Sequence, residues 1–197
     1  MTHIGYLQIL QSSGALRIKL IKLLEYFLGS IAAVLIPPQE TRRTLPAPIS
    51  RILVIRPGGI GDAVFLLPFL KMIKGLHPDW QIDILCERRN REIFNAQRHL
   101  LGEIFCYDIS SSRKKTYDVV IDTEQWHYLS AWTAHLIKTS FRIGFDTRPL
   151  RKKFFNKPVE YILDEYELYN FRKLFEVIEP KSRQITDIAG CYDVSSQ

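Results

Sequence analysis

A single carboxylate, Asp62, closes the stretch Arg56-Pro57-Gly58-Gly59-Ile60-Gly61-Asp62, directly after the apolar run Ile52 to Ile55. Gly58, Gly59 and Gly61 lack a Cβ, so the backbone can turn sharply and a ligand can approach it closely. An aspartate at the start of the following helix has two uses. As a general base it takes a proton from a ligand hydroxyl, with the helix N-terminus favouring its ionised form. As an N-cap or first-turn acid it stabilises the helix by about 0.5–2 kcal/mol. In open α/β sheets ligands bind beyond the carboxyl ends of the strands, where this loop lies, and both readings stand on the residues alone.

Other polar groups collect near the ends of later strands. Arg88, Arg89 and Arg91 follow the second apolar run and can grip phosphates with their guanidinium forks, or form a solvated helix face. Glu124 is a cleft carboxylate or a loop acid. Arg148, Arg151, Lys152 and Lys153 form a second basic cluster with the same ambiguity. His127 and His135 are eight residues apart with no nucleophile nearby and read as packing or surface residues. Cys86, Cys106 and Cys191 show no Cys-x-x-Cys and no zinc spacing, so no metal site is expected, and Cys86 and Cys106 read as core thiols of a reducing compartment. The glycines also invite a dinucleotide reading, with Glu87 as the ribose-binding acid. Counted from Gly59, however, the third glycine position of G-x-G-x-x-G/A holds Val64.

The elements that must position these groups alternate. The patterning predicts strands at 51–56, 81–86, 103–107, 117–122 and 141–145, and helices at 62–74, 89–97, 127–138 and 164–178. The last helix opens with Asp164-Glu165-Tyr166-Glu167 as a capping arrangement and buries Phe171, Leu174, Phe175 and Ile178. Short apolar strands alternating with helices specify an α/β fold, a Rossmann-like parallel sheet with flanking helices. With 197 residues and 46% apolar content, one domain over 51–180 is expected, with a tail over 181–197. The net charge of +6 fits an anionic partner, but no nucleic-acid-binding motif accompanies it.

Residues 1–50 differ in character. Between Leu16 and Ile36 the chain is apolar but interrupted by Arg17, Lys19, Lys22 and Glu25. The uncharged part falls short of the ~20 residues that a bilayer span requires. An amphipathic helix in the membrane interface is expected, with Leu20, Leu23, Leu24, Phe27, Leu28 and Ile31 turned into the lipid; the alternative is a helix packed on the sheet domain. Pro37-Pro38 and Pro46 to Pro48, with Arg42 and Arg43 between them, form a stiff basic linker.

The succession of Gly-Gly-Ile-Gly-Asp62, Leu67-Pro68, Pro78-Asp79, the strand Ile82 to Cys86, Tyr117-Asp-Val-Val-Ile-Asp122 and Arg142-Ile-Gly-Phe-Asp146 resembles glycosyltransferase family 9. These are the heptosyltransferases and related enzymes of lipopolysaccharide synthesis. The resemblance covers about residues 50 to 180 and implies the acceptor-side half of a GT-B-type enzyme. It implies inverting transfer of a heptose or hexose from a nucleotide sugar to a glycolipid, with Asp62 as base and no metal or other cofactor. Gly58, Gly59, Gly61, Arg88, Arg89, Arg91 and Glu124 become candidate substrate-binding residues, and the setting becomes the inner face of the cytoplasmic membrane. Where the family tends to show Asp-x-Gln-Gly, this chain has Asp122-Thr123-Glu124-Gln125. Residues 181–197 are too short for a donor half, since one βαβ unit takes ~30 residues, so that half is expected beyond Gln197 or on a partner. Two other classes remain open: a non-catalytic glycolipid-binding module, which would not need Asp62, and a nucleotide-dependent oxidoreductase domain, which would need Glu87.

Overall fold

The computed structural model describes residues 29–31, 34, 36, 37, 39, 44–106 and 109–186. Its strands are β1 (Arg51–Arg56), β2 (Gln81–Cys86), β3 (Ile104–Cys106), β4 (Thr116–Asp122), β5 (Lys138–Phe145) and β6 (Lys157–Val159). Its helices are α1 (Ile60–Leu76), α2 (Arg91–Asn95), α3 (Ile109–Ser112), α4 (Tyr128–Leu136) and α5 (Glu167–Glu176). All strand pairs are parallel, in the order β3-β2-β1-β4-β5-β6. This is the doubly wound order with a topological switch between β1 and β4, the point where such sheets bind ligands.

Strand alternation divides the core into two layers. Ile52 and Val54 of β1 join Ile84, Ile121, Leu70 and Phe175 on the face covered by α1 and α5. Leu53 and Ile55 point the other way, into a smaller layer with Val120, Tyr128, Ala131 and Phe154. Successive residues of a strand face opposite sides, so an uninterrupted apolar run is what a sheet covered on both faces requires. Phe69 of α1 stacks on Phe175 of α5 with ring centroids 5.0 Å apart.

Several elements differ from the sequence reading. Helix α1 begins at Ile60, so Asp62 is its third residue, and the residue capping it is Gly59. The helix expected at 89–97 is the five-residue α2 followed by a 3-10 turn at Arg98–Leu100. Strand β5 begins at Lys138, inside the helix expected to end there. Strand β6 and the 3-10 turn Arg151–Phe154 were not expected; three-residue edge strands leave too little pattern to read. Helix α5 starts at Glu167, not at Asp164, and its capping residue is Tyr166, which makes no side-chain cap.

Most of the expected interface helix lies outside the described residues, as does Cys191. The parts described touch the domain: Gly29 lies against Tyr128, Ile36 is buried in the smaller core layer, and the Gln39 N–H donates to the Lys153 carbonyl at 3.0 Å. Ile31 and Val34 are exposed. Among the described residues no helix is long and apolar enough to cross a membrane.

At the end of the sheet away from the switch-point crevice, Asp118 ties β1 to β4. Its Oδ2 accepts from Ser50 N–H at 2.8 Å, Arg51 N–H at 2.9 Å and Ser50 Oγ at 3.0 Å. Burial would raise this carboxyl, but the hydrogen bonds from Ser50 and Arg51 outweigh it and hold the group below its ordinary value. Replacing Asp118 with Ala should lower stability to urea by about 1–3 kcal/mol at neutral pH. Because the folded value lies below the unfolded one, the contribution is complete above ~pH 4 and drains as pH falls through the folded value. The gap between wild type and variant should therefore close in acid, and a gap unchanged at low pH would contradict the clamp.

Candidate active site

A cleft of about 650 Å³ opens at the carboxyl end of the sheet. Its floor is the end of β1 and the loop Pro57-Gly58-Gly59; one wall is the start of α1 with Asp62 and Phe65. The other runs through Glu124 to His127, with Leu129, Ser130, Tyr161 and Glu167, and Glu87 and Arg89 stand at its side. Gly58 has φ +97°, a backbone conformation that side-chain-bearing residues rarely adopt, and so the turn out of β1 requires a glycine there.

The charge at the centre is Arg56, the last residue of β1 and 1% exposed. Its Nη1 donates to the Thr123 carbonyl at 2.7 Å, and its Nη2 lies 2.9 Å from Asp62 Oδ2 and 3.5 Å from Glu124 Oε2. The guanidinium also stands over the Phe171 ring, 5.7 Å from its centroid. Two carboxylates from opposite walls therefore share one buried nitrogen. Asp62 keeps 33% of its side chain exposed, whereas Glu124 keeps 6%. One carboxylate is thus open to a ligand in the cleft, and the other serves mainly as wall.

The loop that carries Glu124 is fixed from behind by a second buried guanidinium. Arg151 Nη2 donates to Asp122 Oδ2 and the Glu124 carbonyl, each at 2.6 Å, and Nη1 donates to the Phe145 carbonyl at 2.7 Å. Asp122 also accepts from the Glu124 N–H and from Ser130 Oγ, each at 3.1 Å. Burial pushes the Asp122 carboxyl up, and Arg151 and the Glu124 N–H oppose that push. On the outer wall, Trp126 N–H donates to Glu124 Oε1 at 3.1 Å, Tyr161 OH donates to Glu167 Oε2 at 2.8 Å, and Gln125 Nε2 donates to Glu167 Oε1.

The structure brings Asp62, Gly58, Gly59, Glu124 and Arg89 into the cleft. Glu124, open between loop acid and cleft carboxylate in the sequence, belongs to the cleft because Arg56 draws it in. Arg88 and Arg91 are exposed and lie outside the lining, and Arg89 is tied to Glu87, Nε to Oε2, at 2.6 Å. Gly61 is exposed with open space around it, so neither the turn nor the lining requires its lack of a side chain. A Cβ at Gly59 would stand 3.2 Å from Asp62 Oδ2. The aspartate therefore fills the space beside the glycines where a dinucleotide pyrophosphate would sit, which agrees with the failed glycine pattern. Arg56, Gln125, Trp126, Tyr161 and Glu167 were missed. Arg56 did carry a signal, as a charge ending an apolar strand just before Pro-Gly-Gly. Among the described residues no group of three or more His, Cys, Asp or Glu is placed to hold a metal ion.

No protein-family model matches the chain, and no curated protein sequence matches it. Solved structures do match in fold. Escherichia coli heptosyltransferase WaaC with ADP superposes with a TM-score of 0.56 at 20% identity, over 64% of this chain and 46% of that one. The same enzyme with ADP-2-deoxy-2-fluoro heptose gives 0.54 at 19%, over 71% and 52%. A family 9 glycosyl transferase from Veillonella parvula gives 0.58 at 16%, over 75% and 45%. The chain spans about half the length of these structures, and its Rossmann-like sheet with flanking helices has their fold.

The buried Asp122–Arg151 pair supports the cleft wall. Replacing Arg151 with Met should cost about 3–5 kcal/mol in urea unfolding, because Asp122 is left buried without its counter-charge. Adding Asp122→Leu to that variant should recover much of the loss. Equal stabilities for the single variant and wild type would refute the support.

Proposed function

We propose that the chain is the acceptor-side half of a glycosyltransferase resembling family 9, moving a heptose or hexose from a nucleotide sugar to a cell-envelope glycolipid. The observation that carries this reading is Asp62: a part-exposed carboxylate in the switch-point cleft, held at 2.9 Å by a buried guanidinium. The fold supports it, since WaaC and the Veillonella protein share it and the WaaC structures hold ADP and an ADP-sugar.

In this reading an acceptor hydroxyl gives its proton to Asp62 as its oxygen attacks the anomeric carbon. The bond from that carbon to the nucleotide's phosphate oxygen breaks with inversion, and the nucleoside diphosphate leaves with the bonding pair. Arg56 fixes one oxygen of Asp62 and so aims the carboxylate across the cleft. General-base assistance of this kind is worth about 10²–10⁴-fold, and positioning of the two substrates supplies more. The loop at Gly58 and Gly59 gives the acceptor a close approach, Glu124 and Arg89 complete the walls, and a second domain binds the nucleotide. No metal is assigned a role. A lipid-linked acceptor puts the reaction at the inner face of the cytoplasmic membrane, and the exposed Ile31 and Val34 are consistent with an apolar surface there.

The test joins this chain to the donor half of a family 9 enzyme and follows transfer from an ADP-sugar to a lipopolysaccharide core acceptor. Asp62→Asn should lower kcat by about 10²–10⁴-fold with acceptor binding retained, and should lower Tm as well, because the buried Arg56 loses one of its two counter-charges. A merely structural partner of Arg56 predicts the same loss of stability with normal turnover by the folded variant. Normal turnover in the Asn variant would remove Asp62 as base.

A further inference from the structure

The charges lining the cleft do not balance. Asp62, Glu87, Glu124 and Glu167 contribute four carboxylates; Arg56 and Arg89 contribute the two guanidiniums. Arg56 is buried and already faces Asp62 and Glu124, and Arg89 already faces Glu87 at 2.6 Å. The three-arginine run expected to grip phosphates sends two of its members, Arg88 and Arg91, away from the lining. Helix N-termini attract anions; of the three helices that open on the cleft, α1 and α5 already hold an acid in the first turn, Asp62 and Glu167, and α4, beginning at Tyr128, holds none.

From this we infer that the cleft selects an acceptor sugar bearing no phosphate or carboxylate on the face it turns toward Asp62 and Glu124. The inference rests on the acceptor-cleft reading above and adds the class of sugar it takes. Hydroxyls of an uncharged ring can donate to the carboxylates of the wall, whereas an anionic substituent there meets a net excess of two negative charges in a partly desolvated space. The apolar face of such a ring has a partner as well. Trp126 is 37% exposed at the cleft wall, braced edge-on by Tyr161 at 5.8 Å. The Tyr161 phenol registers the local field: burial, the Glu167 hydrogen bond and the Glu167 and Asp62 charges push it up, and Arg56 only partly offsets them.

The experiment titrates the 197-residue chain with methyl glucoside, glucose 6-phosphate and glucuronate, following saturation-transfer NMR and tryptophan fluorescence, with Trp126→Ala to locate the site. Methyl glucoside should bind at least about tenfold more tightly than either anion at low salt. Added salt should narrow that gap, because it screens the repulsion while leaving the uncharged sugar unaffected. The double variant Glu124→Gln, Glu167→Gln should narrow it too, and the salt series gives the same reading without any substitution. Glucose 6-phosphate or glucuronate binding as tightly as methyl glucoside, sensitive to Trp126→Ala, would overturn this inference and leave the acceptor-cleft reading standing. Binding of none of the three would overturn the acceptor-cleft reading and the inference with it.

Discussion

The cleft is organised by one buried charge. Arg56 ends the central strand with its guanidinium almost wholly out of water, and a buried charge is tolerable only when paired and hydrogen-bonded. Three groups meet that demand, and they come from two places: the α1 start through Asp62, and the loop after β4 through Glu124 and the Thr123 carbonyl. The need to neutralise one side chain thereby fixes the separation of the two walls. A smaller or neutral residue at the end of β1 would leave the two carboxylates facing each other with nothing between them.

Support passes outward from that point. Arg151 holds the Glu124 carbonyl and Asp122, so the wall is braced by a second guanidinium behind the first. Arg142 acts similarly in the layer below, donating to the carbonyls of Ala134 and Ile137 where α4 hands over to β5. Helix ends leave carbonyls without intrahelical partners, and a buried arginine reaches several at once. At these points the basic excess of the chain serves the interior. The positive charge legible in the composition is thus a poor guide to what the cleft attracts.

Much of the fold was legible because the patterns were long. The apolar runs of β1, β2 and β4 and the helical spacing of α1 and α5 are signals that burial on two faces or one stripe writes directly into residue order. The short edge strand β6 and the 3-10 turn before it left no comparable trace. In the cleft, Asp62 was legible from its glycine-rich approach, whereas Glu124 could not be separated from a loop acid. What decides Glu124 is Arg56, sixty-eight positions earlier, brought beside it by the pairing of β1 with β4. The fate of Arg88 and Arg91 was hidden for the same reason: spacing places a side chain near the crevice, but only the local turn decides whether it enters.

Helices α1 and α5 run the same way, each beginning at the cleft, and they meet again beyond their far ends. There His77, which closes α1, lies 2.7 Å from Glu179 just past α5, with its ring stacked 3.9 Å from Trp80. With the Phe69–Phe175 stack between them, the helices form two prongs joined at the base, with Asp62 near one tip and Glu167 at the other. Phe65 and Tyr166, ring centroids 5.5 Å apart, tie the two tips as well, so the distance between Asp62 and Glu167 across the cleft is held by packing at both ends and in the middle of the helix pair.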